Sequence, residues 1–563
     1  MVLSYRKVLL GIAACGLLVG LSLGRAVPAL AFGPVATPAT CGPGDRTESG
    51  LQGQTTFVER FAPGERHAFN CNLELVGQYV GQGTGPGFAI TDKCAYMTQW
   101  QVPPPLVSGL EDPGTVVIDA SDPAHPRPVA HIKTPGLMQP AESLILDLPR
   151  KLLIGQNLNK STEYGPTLEI YDVSDCLHPA LKFSGIIPGY IFHGGDFSPD
   201  GTILWGTTGP ILRSQYPDMG DTISALDITD PSHPKVLARW RTTDPRLVRF
   251  HGAAVSDDGN TLYFTIGYHT YAQVGGKVLA SPGQGIGVLD VSEVQARKPN
   301  PRITMIGQPL FWSDIVHNQF IHPFAVKGHW YLWENRLDGV ISNPAQIHVG
   351  DSGLSLGQAF KRPEASAEAA CRRGKPAWGY VSIIDIRNPK HLRRVSAIKL
   401  QVQDARYCLA TAYDPVFSHG YSPIDCTVDD SQDARKMVCA VGEAGVRVFD
   451  IRDIQHPKEI AYYKPPAVGS APRAASPYQT FRYPSGTTDV AKAFHSADAV
   501  SDVAFARGGR EIWFTSFDNG FQVIRFSDAF LKKEPALFSG MQTCYGGLRP
   551  LHGCPDKESA AGH

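Results

Sequence analysis

One plan recurs seven times along this chain, and few architectures can absorb it. In its clearest copy, TISALDITDPSHPKVLAR from Thr222, an apolar strand ends in Asp, a turn of the form [ST]-D-P-x-x-P follows, and a second apolar strand departs. The plan also reads VVIDASDPAHPRPVAHI from Val116, LEIYDVSDCLHPALKFSG from Leu168, IGVLDVSEVQARKPNPRITMIG from Ile286, VSIIDIRNPKHLRRVSAI from Val381 and VRVFDIRDIQHPKEIAYY from Val446. A decayed copy, FQVIRFSDAFLKKEPALF, starts at Phe521. Self-similarity at this spacing indicates a repeat architecture.

A second element alternates with the first. FHGGDFSPDGTILWGT from Phe192, FHGAAVSDDGNTLYFT from Phe250 and VSDVAFARGGREIWFT from Val500 each place a turn between two apolar strands. Asp-Gly between apolar runs is a strong hairpin signal. Each unit therefore holds four antiparallel strands: inner, second, the strand ending in Asp, and the departing strand. One such sheet cannot bury both of its faces, so the units must stack and close. The expectation is all-β, a seven-bladed β-propeller with inter-blade insertions. Asn72–Val80 (NLELVGQYV) reads as a departing strand with nothing before it, so this N-terminal strand closes the ring against the last copy.

The V-x-[IV]-x-D-[IVA]-[ST]-D-P-x-x-P pattern resembles the LVIVD repeat of secreted and surface-associated bacterial propellers, over roughly residues 72–540. The fourth, fifth and seventh copies depart from it at Glu293-Val294-Gln295, Asn388-Pro389 and Ser527-Asp528-Ala529. The resemblance implies a fold and a location; it brings no activity and no catalytic residues.

The start of the chain reads as a signal peptide, residues 1–31. Arg6 and Lys7 precede the apolar run Val8–Leu23, and VPALA at Val27–Ala31 offers a small-x-small cleavage site. A membrane association follows only if that segment stays uncleaved. An extended leader (32–71), the propeller (72–540) and a Cys-containing tail (541–563) complete the division. The insertions are Tyr268–Gly285, Asn335–Gly379 and Pro465–Ala493; such excursions leave one rim of a ring and often build its binding surface. A net charge of −1 without a basic run argues against a nucleic-acid partner.

Export makes disulfides the default state of the cysteines beyond Cys15. Cys41 with Cys71 would pin the leader, and Cys544 with Cys554 would close a small loop in the tail. Pairing Val428 with Met437 across the turn Asp429–Lys436 sets Cys426 opposite Cys439, close enough to bridge. The acidic run Asp429-Asp430-Ser431-Gln432-Asp433 lacks the Gly and closing Glu of a calcium loop and reads as a solvated turn.

Of 18 histidines, His125, His178, His233, His391 and His456 occupy one slot of the Asp-turn, a place for turn hydrogen bonding. His193 and His251 instead stand at the start of inner strands, each between Phe and Gly. His317, His322, His419 and His495 lie at the corresponding point of later blades, and Glu142 takes that place in the second blade. Inner strands line the channel, so these imidazoles can converge on a transition metal (Cu, Fe or Zn), with Glu142, Asp196, Asp425 and Asp502 as orienting carboxylates. The structural alternative has each imidazole bonded to backbone within its own blade.

Motifs for serine hydrolases, zincins, P-loops and dinucleotide binding are absent. Two functions follow. The first is a secreted or cell-surface scaffold that binds a protein or small-molecule ligand at one rim. The second is an exported metal-dependent enzyme, oxidoreductase-like, with a His-ligated metal at the channel mouth.

Overall fold

The computed structural model describes residues 33–538 apart from loops, the longest being 60–66, 100–113, 158–164, 209–221, 339–370, 412–419 and 467–499, together with two short strands at 545–546 and 549–550. The expected signal peptide and both tail cysteines lie outside the described residues. No helix among the described residues is long and apolar enough to cross a membrane.

Seven antiparallel sheets follow one another as blades. Blade 3 shows the common order: inner strand Gly195–Phe197, second strand Ile203–Thr207, third strand Thr222–Asp227 and outer strand Lys235–Arg241. The inner three are buried along nearly their whole length, on both alternating faces. A sheet buried on both faces needs a neighbour on each side. Accordingly the core is a series of layers between blades. One layer joins Trp205 and Ile223 of blade 3 to Val255 and Phe264 of blade 4, and another joins Ile154 of blade 2 to Leu204 of blade 3.

Blade 7 has inner, second and third strands at Val500–Ala506, Glu511–Ser516 and Gly520–Phe526. Its outer strand is Leu73–Tyr79, in the register Leu73↔Phe526 to Tyr79↔Phe521. The N-terminal strand therefore closes the ring, as the orphan departing strand implies. Within the seventh copy the turn gives way to a helix, Asp528–Lys533, whose N-cap Ser527 accepts from Phe530 N. The fourth copy likewise replaces its turn with the helical turn Ser292–Gln295.

The turn chemistry explains the repeat. In blade 3, Asp227 Oδ1 accepts from Thr229 N (3.0 Å), Asp230 Oδ1 accepts from Ser232 N (2.9 Å), and His233 Nδ1 lies 2.8 Å from Asp230 Oδ2. The same His–Asp pair recurs at His125, His178 and His456, at 2.9, 2.9 and 3.1 Å. These histidines hold turns.

The leader is a clamp on blade 6 with little regular structure of its own. Phe69–Cys71 adds a fifth strand beside Lys458–Lys464, and Cys41–Cys71 is disulfide-bonded. Arg447, fully buried, pairs with Glu48 of the leader (2.7 Å) and with Glu459 (3.0 Å), while Lys464 pairs with Glu59 (3.0 Å). The turn 429–436 is not a free solvated loop. Its backbone bonds Ala325 of blade 5 twice, through Ser431 O and Ala434 N, and Gln432 Nε2 reaches Asp257 of blade 4 at 2.7 Å.

Because strands alternate in direction, the two ends of the ring differ. The upper mouth carries the connections between blades and those from second to third strand. The lower mouth carries the inner hairpins and the Asp-turns. Insertion 268–285 lies between second and third strands of blade 4 and contains the hairpin Tyr271–Val274 with Lys277–Ala280. Insertion 335–379 falls between second and third strands of blade 5, although the strand His329–Asp338 runs four residues into it. Insertion 465–493 joins blades 6 and 7. All three leave from the upper mouth.

Candidate metal centre at the upper mouth

Three side chains from three successive blades meet at the upper mouth. Glu142 sits on the 3-10 turn Ala141–Ser143, just ahead of the blade 2 inner strand Ile145–Asp147. His193 and His251 each stand two residues ahead of the inner strands of blades 3 and 4. Glu142 Oε2 lies 3.3 Å from His193 Nδ1 and 3.3 Å from His251 Nε2. The two imidazoles are 4.5 Å apart, edge to face. Both are almost fully buried, whereas the carboxylate is 18% exposed, so the cluster opens to solvent on the glutamate side.

The local sequence makes this approach possible. Gly194 follows His193, and a methyl group there would stand 2.5 Å from His251 O, so the Phe-His-Gly run lets two blades come this close. Two donors bound to one ion at ~2.0–2.1 Å in tetrahedral geometry stand about 3.3 Å apart. The two Glu142–histidine separations match that edge, and all three donor atoms lie within 4.8 Å of one another. Two imidazoles and a carboxylate suit Zn, Fe or Cu. These residues can hold a metal. The other such grouping among the described residues, Cys41, Asp45 and Cys71, has its thiols consumed by the disulfide.

The other described candidates make different contacts. His322, on the blade 5 inner strand, has Nδ1 3.9 Å from Asp196 Oδ2. Asp196 Oδ2 also accepts from Val255 N of blade 4 (3.0 Å), Asp425 Oδ2 from Val503 N of blade 7 (3.5 Å) and Asp502 Oδ2 from Gly87 N of blade 1 (3.1 Å). Each of these aspartates thus ties its inner strand to the next blade. His317 opens the strand His317–Val326, but its side chain, like all of His419 and His495, lies outside the described residues. Glu142, read from the sequence as an orienting carboxylate, lies 3.3 Å from a ring nitrogen of each histidine, where it could serve as a third donor.

Two residues that sequence reasoning passes over hold the cluster in place. Gln156, fully buried, bonds through its backbone to Ser143 Oγ beside Glu142, and its side-chain Oε1 accepts from Phe192 N (2.8 Å) beside His193. Thr207, equally buried, contacts the His193 and His251 segments together. A signal for Thr207 exists in the recurring threonine of WGT, YFT and WFT; Gln156 has none.

Four disulfides are formed: Cys41–Cys71, Cys94–Cys176, Cys371–Cys408 and Cys426–Cys439. The last has the expected register, with Val428 opposite Met437. Cys544 and Cys554 lie outside the described residues.

No family model matches the chain, and no curated protein does. Among solved structures, the chain is similar to the periplasmic gluconolactonase of Pseudomonas aeruginosa, at 12% identity and a TM-score of 0.42, over 85% of this chain and 96% of that one. It is also similar to Sqt1 of Chaetomium thermophilum, at 12% identity and a TM-score of 0.41, over 80% of this chain and 97% of that one. Likeness at this level carries no argument about function; the fold rests on the strand pairing itself.

Proposed function

We propose that this protein is an exported propeller that holds one transition-metal ion between Glu142, His193 and His251 and offers the ion's open positions to a small-molecule ligand entering at the upper mouth. The observation that carries the reading is the convergence of these three donors, from three adjacent blades, at the spacing one ion requires. An ion held by three protein ligands would supply Lewis-acid polarisation of a bound oxygen or nitrogen, or redox chemistry if it is Cu or Fe. The chain's own part is to hold the donors, bury the imidazoles and leave Glu142 facing the entrance. Four disulfides support the exported setting, since such bonds persist in oxidising compartments.

A second reading, a scaffold that captures a protein partner on its rim, is supported by the departure of all three insertions from that same mouth. The LVIVD-repeat assignment belongs with either reading; the Asp-turn hydrogen bonds that recur from blade to blade support it. Elemental analysis of protein purified without chelator decides between the two functions. We expect about one equivalent of Zn, Cu or Fe in the wild type and its loss in His193→Ala. Protein that is metal-free as isolated, and that takes up none of the three when they are added, leaves the scaffold alone.

A further inference from the structure

We infer that Thr207 is a positioning residue for this centre, setting the distance between His193 and His251. The inference rests on the metal reading above. Thr207 closes the second strand of blade 3, and its backbone is paired on both sides: His193 N donates to Thr207 O (2.8 Å), and Thr207 N donates to Gly194 O (2.9 Å). Its hydroxyl then leaves the blade. It shares its proton between Gly194 O (3.0 Å) and His251 O (2.5 Å), the latter on blade 4 and 44 residues further along the chain.

Two equivalent threonines bond within their own blades. Thr265, which holds this place in blade 4, has its hydroxyl accepting from Gly252 N (2.8 Å) of its own blade. Thr515 in blade 7 reaches Asp502 of its own inner strand (3.5 Å). The Thr207 hydroxyl bridges two blades between the two histidines.

The physics of the ring makes that bridge matter. Blades meet mainly through apolar layers, and apolar contact is non-directional, so it tolerates small sliding of one blade on the next. A hydrogen bond from a fully buried hydroxyl is directional, and it fixes the offset where the imidazoles are attached. A metal site loses affinity once its donors drift by about 0.5 Å. Thr207 therefore acts through the backbone of His193 and His251 without touching the ion.

The test uses the full chain, stripped with chelator and then titrated with Zn²⁺ by calorimetry and with Co²⁺ by visible absorption. Thr207→Val and Thr207→Ala remove the hydroxyl with and without the branched bulk, so a folding failure of one leaves the other to decide. We expect one Zn²⁺ per wild-type chain, affinity lower by about 10–100-fold in both variants, altered Co²⁺ bands, and recovery of affinity and spectrum in Thr207→Ser. His251→Ala serves as the loss-of-ligand reference. Wild-type affinity and spectrum in Thr207→Val or Thr207→Ala, with binding lost in His251→Ala, would overturn the positioning role and leave the metal site standing. A serine variant as weak as the alanine one would also overturn it, because the hydroxyl would not be the cause. Failure of the wild type to bind either ion, or equal binding by His251→Ala, removes the metal reading and this inference with it.

Discussion

Asp147 is a buried acid that the fold would do better without. It ends the inner strand of blade 2 at the lower mouth, 3% exposed, with Oδ1 accepting from Arg150 N (3.3 Å) and Oδ2 without a hydrogen-bond partner. The Arg150 guanidinium, which could neutralise it, is committed to Gly201 O, Ile228 O and Thr229 O of blade 3. Burial therefore pushes the carboxyl up from 3.8 to about 6, and the nearby Asp200 adds to the rise. Below pH 3.8 the group is neutral in both the folded and the unfolded chain and costs nothing. As pH rises from there to about 6 the unfolded chain sheds its proton while the folded one keeps it, so stability falls. Above about 6 the loss is complete, at about 3 kcal/mol. Asp147→Asn removes that loss, although a buried amide N–H without an acceptor gives back about 1–2 kcal/mol. With an unfolding entropy of about 2 cal/mol/K per residue, a 563-residue chain melting as one unit shifts by about 1 °C per kcal/mol. Calorimetry at pH 4, 6 and 8 with the disulfides intact should therefore show the Asn variant gaining about 1–2 °C on the wild type at pH 8. Near pH 4 that gain should be absent. A difference between the two proteins that does not change across this range would refute the reasoning.

Two further outcomes follow from the leader and from blade 6. Arg447→Met leaves Glu48 and Glu459 buried without their shared cation, which should cost about 3–5 kcal/mol and expose residues 33–71 to limited proteolysis; unchanged protease resistance would mean the clamp lies elsewhere. Replacing Cys426 and Cys439 together by Ala opens a bridge of sequence separation 13, with an expected loss of about 3 kcal/mol, and peptide mapping of the unreduced wild type should recover the two as one cross-linked pair.

What is legible in the sequence is what the chain settles locally. The Asp-turn needs its carboxylates to reach backbone N–H groups two residues on, as Asp227 and Asp230 do, so its signature survives from blade to blade. Cys426 and Cys439 face each other within one hairpin, and counting back from its turn is enough to pair them. Ring closure shows because Leu73–Tyr79 lacks a strand to follow and the seventh copy lacks one to end on. By contrast, the bond between Cys94 and Cys176 joins blades 1 and 2 over a separation of 82, and no local pattern points to it. Glu142 is legible as a position but not as a donor. Its role depends on a 3-10 turn tilted by Ser143 and Gln156, and on three blades reaching one depth together. The clamp on blade 6 escapes for the same reason: Glu48 and Arg447 are charged residues in a Gly-rich leader and a strand, and nothing nearby in sequence says that each neutralises the other.

Neighbouring blades are fastened at both mouths, by different kinds of side chain. At the lower mouth, basic side chains of the inner hairpins reach into the next blade: Arg150 bonds carbonyls at Ile228 and Thr229, and Arg507 bonds those at Ala120 and Ser121. Lys436, fully buried, pairs with Asp429 and donates to Leu537 O after blade 7. An added residue in one of those turns would displace a cation from its carbonyls; those of the buried Ile228 and Ala120 would lose a donor, at about 1–3 kcal/mol each. The upper mouth has buried bonds between blades of its own, from Thr207 to His251 O and from Phe192 N to Gln156. The three insertions leave from that end, where Glu142, His193 and His251 meet, while the lower mouth varies in the fourth copy by the helical turn Ser292–Gln295. Insertions and candidate donors thus leave from one mouth, and these basic fastenings lie at the other.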